Sequence, residues 1–291
     1  RIRAAVATGE GRLLTRAGAR TPARGTGEAV VQAGAEAGMQ ALAGQDRAQI
    51  LAAGAGAPGP LDAARGIAQA TPTIDGFRDF PIRDRIAEAI GLPTYLEHDG
   101  HAAAYGEWVH GAGRGTANMV FVTVSTGIGG GAIVDGRLQH GRRGQSAHVG
   151  HMTLLPDGPV CNCGNLGCWE ALAAGPAFAQ AARAAGYADG AAVFAAAAMG
   201  QAAALQVVDA QARWLAIGLG NLAHIYAPEI LIMGGGVAAG LEQMRPVMEA
   251  EFFRRAMSPF RDIPIVRAAL RDDAGLIGAA ALCLAQAVRQ A

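Results

Sequence analysis

The sequence predicts an α/β protein built in two halves. Two observations carry that expectation. Short apolar runs alternate with alanine-rich segments of helical spacing along the chain, so strands and helices interleave. The composition also shifts at Gly111-Ala-Gly-Arg-Gly-Thr116, a glycine-rich break between two such series.

In chain order, Ile2 to Val6 and Arg12 to Thr15 read as a hairpin around Gly9-Glu10-Gly11. A helix is expected from Gly27 to Leu42, then a strand from Gln49 to Ala53 ending in the loop Gly54-Ala-Gly-Ala-Pro-Gly-Pro60. Residues 61–82 read as irregular. A helix follows from Asp84 to Ile90, a strand from Thr94 to Glu97, and a helix over 102–109. Past the break, Met119 to Ser125 is a strong strand. The glycine loop Thr126-Gly-Ile-Gly-Gly-Gly131 leads from it into a strand at Ala132 to Val134. A cysteine loop fills 140–168, and helices are expected from Trp169, across 176–199 and over Ala202 to Ile225. The strand Glu229 to Met233 runs into Gly234-Gly-Gly236 and a further helix. The strand Ile265 to Ala268 precedes a last helix opened by Asp272-Asp-Ala-Gly275.

Bulk properties exclude several classes. Lys+Arg and Asp+Glu both number 24, so no basic field draws nucleic acid. No strongly apolar run is long enough to span a bilayer, and no signal peptide is visible, so the expected location is cytoplasmic. Aromatics are only 5% of the residues, which leaves the core to Ala, Val, Leu and Ile.

Three of the four cysteines fall within Cys161-Asn-Cys-Gly-Asn-Leu-Gly-Cys168. In a reducing compartment such a cluster holds metal more often than disulfides. Tetrahedral zinc needs four N or S ligands, and His151, ten residues before Cys161, is best placed to be the fourth. With all four positions filled by protein, the expected zinc is structural. The competing reading is a loop of free thiols. Cys283, alone in an apolar run, reads as a buried helix residue.

Other residues carry two readings each. The glycine loop 126–131 can expose N–H groups to phosphates or be a plain hairpin. It does not open a helix, which argues against a dinucleotide-binding fingerprint. Gly234 and Gly235 lead into a helix N-terminus, which favours anions. Asp99, at a strand end between His98 and His101, can accept a proton from a hydroxyl or cap the next helix. His98 and His101 read equally as surface residues. Glu170 is either a first-turn helix charge or a carboxylate aimed at a ligand by the metal loop.

The run GHMTLLPDGPVCNCGNLGCWEALAAG resembles the signature of the ROK family of repressors and sugar kinases. STGIGGG resembles the family's second phosphate motif, GAGAPGP its sugar-cleft loop, and EHDGHAAAYGE its catalytic-aspartate motif. The resemblance covers nearly the whole chain. It implies an actin-like ATPase (ribonuclease H-like) fold with a zinc-binding loop, in which two α/β lobes close over ATP and a sugar. A small lobe over 1–110, completed by the helix 276–291, and a larger lobe over 111–275 are expected.

By this resemblance Asp99 is the catalytic base, and His151, Cys161, Cys163 and Cys168 are the zinc ligands. Gly56, Thr73, His98, Asp99, His148, His151 and Glu170 face the sugar. Thr126, Gly127, Ile128, Gly129, Gly130, Gly131, Ala132, Ile133 and Val134, with Gly234 and Gly235, face ATP, which brings Mg²⁺. The family commonly forms dimers or tetramers, so a homodimer or homotetramer is expected, with no nucleic-acid or membrane partner.

Three positions depart from the family pattern. The usual glutamate of the ExGH motif is His148, the usual asparagine before the catalytic aspartate is His98, and a further usual asparagine is Thr73. A His-x-Gly-His motif resembles the family's N-acetylmannosamine kinases rather than its glucokinases. The expected activity is therefore ATP-dependent phosphorylation of the 6-hydroxyl of N-acetyl-D-mannosamine. The alternatives are a glucokinase or other hexose kinase, a sugar-binding regulator, and an inactive homologue. The chain opens at Arg1-Ile-Arg-Ala-Ala-Val6, where the family's first strand and DIGGTK-type loop have just ended. The expectation is that it is clipped from a longer protein.

Overall fold

The computed structural model describes residues 1–22, 26–70 and 76–290; Thr73 lies outside the described residues. The chain divides into two compact units. One comprises Arg1–Arg114, Leu138–Ser146 and Asp273–Ala291, the other Gly115–Arg137 and Ala147–Asp272. The segment Leu138–Ser146 belongs with the first unit, although it falls inside the stretch 111–275 expected as the second lobe.

In the first unit, β1 (Ile2–Ala4) pairs antiparallel with β2 (Ala17–Ala19). The turn lies where expected, with Thr8 N–H donating to Arg12 O at 2.9 Å. The ladder partner sits at 17–19, however, and Arg12 to Thr15 carries only the isolated bridge Ala7↔Leu13. Helix α1 (Gly27–Leu42) starts at Thr26, whose hydroxyl accepts the Ala29 N–H, and it buries Val31, Ala35 and Ala41.

The strand expected over 49–53 lies four residues later, as β3 (Ala53–Ala57). Asp46 accepts the Ala48 N–H at 3.1 Å and caps a 3₁₀ turn over Arg47–Gln49, which uses up the start of the apolar run. Gly54 and Gly56 are thus strand residues. Residues 61–82 are not irregular: β4 (Leu61–Asp62), β5 (Ile67–Ala70) and β6 (Arg78–Phe80) form an antiparallel sheet. These strands are too short to display an alternating pattern. Helix α2 (Ile82–Ile90) leads to β7 (Thr94–His98), which pairs parallel with β3, Gly56 opposite Glu97 and Ala57 opposite His98. Helix α3 (Asp99–His110) follows with no intervening loop.

The second unit is built on a five-stranded sheet of order β10-β9-β8-β11-β12. It comprises β8 (Met119–Val124), β9 (Ile128–Val134), β10 (Arg137–Leu138), β11 (Ile230–Gly234) and β12 (Ile265–Arg267). β11 runs parallel to both β8 and β12, while β9 is antiparallel to β8. Its helices are α4 (Trp169–Ala173), α5 (Gly175–Ala184), α6 (Gly190–Ala198), α7 (Ala202–Tyr226) and α8 (Leu241–Arg255). Val120, Val122 and Val124 of β8 pack in one cluster with Leu215, Leu219 and Leu222 of α7 and Met244 of α8. Trp169 is wholly buried in that cluster. The last helix, α9 (Ala274–Gln290), returns to the first unit, where Ala279 and Leu282 pack on Ala102 and Tyr105 of α3. Cys283 is buried there, as expected. Among the described residues no single helix is long and apolar enough to cross a membrane.

Candidate active site

In the first unit, the junction of β7 and α3 holds the candidate chemistry. His98 is the N-cap, and its Nδ1 accepts the Gly100 N–H at 3.2 Å. Asp99 is the first helical residue, and its Oδ1 accepts the same N–H at 2.7 Å. Helix N-termini favour carboxylates at this position. The Asp99 side chain is 59% exposed. The surrounding protein nevertheless desolvates the carboxylate and raises its pKa, opposed by the Gly100 N–H and the charge of His101. Gly56 borders it from β3: a Cβ placed there would lie 3.7 Å from the Asp99 Cα. Gly56, His98 and Asp99 are thus neighbours, but His98 is buried and commits Nδ1 to the cap.

His101 is not a surface residue; it is completely buried. Its Nδ1 lies 3.0 Å from Glu97 Oε1 and its Nε2 lies 3.2 Å from Ser146 O. Glu97 Oε1 also accepts the His98 N–H at 2.9 Å, while Oε2 lies 2.9 Å from His140 Nε2. Burial pushes the Glu97 pKa up, but hydrogen bonds from His101, His140 and the His98 N–H outweigh it and hold the carboxyl at about 2. The bond to Glu97 in turn raises the His140 pKa against its partial burial. This network carries no sequence signal, since His140 lies 43 residues from Glu97.

In the second unit, His151, Cys161, Cys163 and Cys168 converge, with their donor atoms all within 4.8 Å of one another. His151 closes a 3₁₀ turn over Val149–His151, and Cys168 is the N-cap of α4. The loop between them is pinned by its backbone, with Leu154 N–H donating to Gly167 O and Cys161 N–H donating to Asn165 O, each at 2.8 Å. The Cys163 and Cys168 sulfurs are 3.7 Å apart, and Cys161 Sγ is 3.7 Å from His151 Nδ1. Zn–S bonds of about 2.3 Å put two sulfurs of a tetrahedron about 3.8 Å apart. The donor set and its spacing therefore fit zinc. The sulfurs are too far apart for a disulfide, whose bond is about 2.0 Å.

Glu170, in the first turn of α4, points both ways along this unit. Its Oε2 accepts the Ile128 N–H at 2.9 Å, and its Oε1 lies 3.8 Å from Cys161 Sγ. The turn it touches is shorter than expected, spanning only Ser125–Gly127, because Gly129–Gly131 continue β9 opposite Thr123–Phe121. Ile128, Gly130, Gly131, Ala132 and Ile133 are buried in the sheet, so they offer no open surface to a nucleotide. Thr126, Gly127 and Gly129 are the accessible part at this end of β9. Gly234 and Gly235 end the neighbouring strand β11, with Gly234 opposite Thr123. Both glycine turns lie at the carboxyl ends of parallel strands, where open α/β sheets bind ligands. His148, half-buried, stacks near His151 with ring centroids 6.2 Å apart.

The chain is similar to known proteins over almost its whole length. The chain matches the ROK family over residues 1–286. It is 33% identical to a glucokinase of Streptomyces coelicolor over 305 aligned positions, covering 97% of this chain and 94% of that one. It is 34% identical to an N-acetylmannosamine kinase of Yersinia pseudotuberculosis over 283 positions, covering 96% and 93%. The structure of a Streptomyces griseus ROK family glucokinase, in complex with glucose and AMPPNP, superposes with a TM-score of 0.85 at 34% identity, covering 99% of this chain and 95% of that one. The chain belongs to the ROK family. Its fold is that of the family's sugar kinases.

Proposed function

We propose that the protein is an ATP-dependent sugar kinase that phosphorylates the 6-hydroxyl of N-acetyl-D-mannosamine. The kinase assignment rests on family membership and on Asp99, an accessible carboxylate of raised pKa held at a strand-to-helix junction. Asp99 accepts the proton of the 6-hydroxyl as its oxygen bonds to the γ-phosphorus and the bond to ADP breaks. The N–H groups at Thr126 and Gly127, with the turn at Gly234 and Gly235, orient the phosphates. A Mg²⁺ ion bound to the nucleotide phosphates would supply charge neutralisation there. Most of the rate then comes from positioning and electrostatics. His151, Cys161, Cys163 and Cys168 would hold a structural zinc ion, and the loop so cross-linked would keep Glu170 and His151 facing the sugar hydroxyls.

The sugar is assigned on one observation: His148 stands beside the zinc ligand His151 where the family's usual residue is glutamate. A carboxylate only accepts hydrogen bonds, whereas an imidazole can also donate. An N-acetylhexosamine presents a carbonyl acceptor, which a carboxylate would oppose and an imidazole can satisfy. Glucose is the second reading, favoured by the glucokinases among the relatives. Comparing kcat/KM for N-acetylmannosamine, N-acetylglucosamine and glucose separates them. The proposal expects N-acetylmannosamine to lead glucose by about 100-fold or more, and His148→Glu to narrow that gap. A wild-type preference for glucose would replace the assigned substrate.

A further inference from the structure

Glu97 is a buried carboxylate to which the activity proposed above gives no part. It gathers three donors from three places. The His98 N–H sits at the end of β7, His101 in the first turn of α3, and His140 on the segment Leu138–Ser146. The groups facing it are His101 and His140, whose rings meet edge-on at 5.7 Å, and His98, whose ring lies 5.2 Å from that of His101. The same segment is fastened at its far end. Ser146 N–H donates to His140 O at 3.0 Å, Ser146 O faces His101 Nε2, and the Gln145 side chain bonds Gln69 and reaches Leu61 O. One carboxylate thus fixes the turn that carries Asp99 and ties the 138–146 strap to the same helix start.

We propose that Glu97, His101 and His140 form a positioning network that sets the orientation of Asp99 and pins the 138–146 strap to the first turn of α3. The catalytic half rests on Asp99 being the base; the strap half does not. The network acts through hydrogen bonds rather than by touching substrate. A carboxylate accepting three N–H bonds in a buried site cannot be moved without leaving donors unsatisfied, so the turn has one conformation. His140 adds a charge-assisted bond that is strongest while the ring is protonated and weakens as pH rises through its elevated pKa.

The test uses the full chain with four variants: Glu97→Gln, His140→Ala, His140→Gln and Asp99→Asn. Steady-state kinetics with ATP and the three-sugar panel is paired with amide exchange read without substrate. Glu97→Gln and His140→Ala should lower kcat by about 10- to 100-fold, with the KM for ATP within about twofold, as expected when a reacting group is misplaced. Amide exchange over 98–101 and 138–146 should quicken at least about tenfold in both, the size expected when roughly one such bond is lost. His140→Gln keeps a neutral donor and should restore much of that protection. In wild type, protection corrected for intrinsic rates should fall as pH rises through the raised His140 pKa, and His140→Gln should abolish that fall. Unchanged exchange in both segments would overturn the proposal. Quickened exchange with unchanged kcat would overturn its catalytic half, making the network only a staple. Asp99→Asn at full rate would overturn the base assignment and that half with it, leaving the strap to be judged by exchange.

Discussion

Glu170 Oε2 accepts the backbone N–H of Ile128 at 2.9 Å. The other oxygen of that carboxylate lies 3.8 Å from the Cys161 sulfur. A single side chain therefore joins the cysteine loop to the glycine turn after β8. What disturbs one should be felt at the other.

Removing zinc is the first such disturbance. Three thiols crowded around one point cannot all ionise without a cation, and in its absence burial and the neighbouring sulfurs push Cys168 up to about 12. Chelation should therefore release the loop and with it the placement of Glu170 and His151. The purified protein should carry one zinc per chain by elemental analysis. Titrating it with a chelator should weaken sugar binding by calorimetry at chelator levels that leave the far-UV circular dichroism intact. Sugar affinity unaffected by complete zinc loss would reduce the site to a staple.

Gly127 is the second. A Cβ there would come within 2.5 Å of Glu170 Oε2, so Gly127→Ala must displace the carboxylate or the turn. The expected cost is about 1–3 kcal/mol of stability, as for other overpacked positions. The sugar KM should rise about tenfold through the displaced Glu170. Gly220→Ala, in α7 with nothing within 4 Å of its added Cβ, should instead stabilise the protein by up to about 1 kcal/mol. Urea unfolding of the two variants beside wild type reads both signs.

Acid should reveal Glu97. Its pKa is held at about 2 in the folded chain against 4.5 ordinarily, so its contribution is full above pH 4.5 and is lost as pH falls toward 2. That contribution is on the order of 3 kcal/mol. The stability gap between wild type and Glu97→Gln should therefore close as pH falls below 4.5, and it should also narrow as pH rises through the raised His140 pKa. A gap independent of pH down to 3 would mean the carboxylate is not held ionised.

The sequence made some of this legible and not the rest, for physical reasons. The helix over Gly27–Leu42 and the strand at Met119 announce themselves by long periodic or apolar runs, and both lie where the pattern puts them. The convergence of His151, Cys161, Cys163 and Cys168 is local in sequence, so their spacing announces it. Strand β3 slipped because its position depends on pairing with β7, a partner about forty residues on. Gly129–Gly131 resembled a loop because glycine carries no strand signal, yet their partners in β8 keep them in the sheet. The Glu97, His101 and His140 network leaves no sequence signal because three dispersed polar residues have no periodicity, and the burial of His101 depends on contacts distant in sequence.

We propose that Asp99 is the base of a sugar kinase. That role is tested most directly by ADP release coupled to sugar phosphorylation in Asp99→Asn, with sugar affinity measured separately on the same preparation. In Asp99→Asn kcat should fall by about 100- to 10,000-fold, the range lost with a general base, while sugar Kd stays within about threefold. Phosphorylation at the wild-type rate in Asp99→Asn would contradict that role.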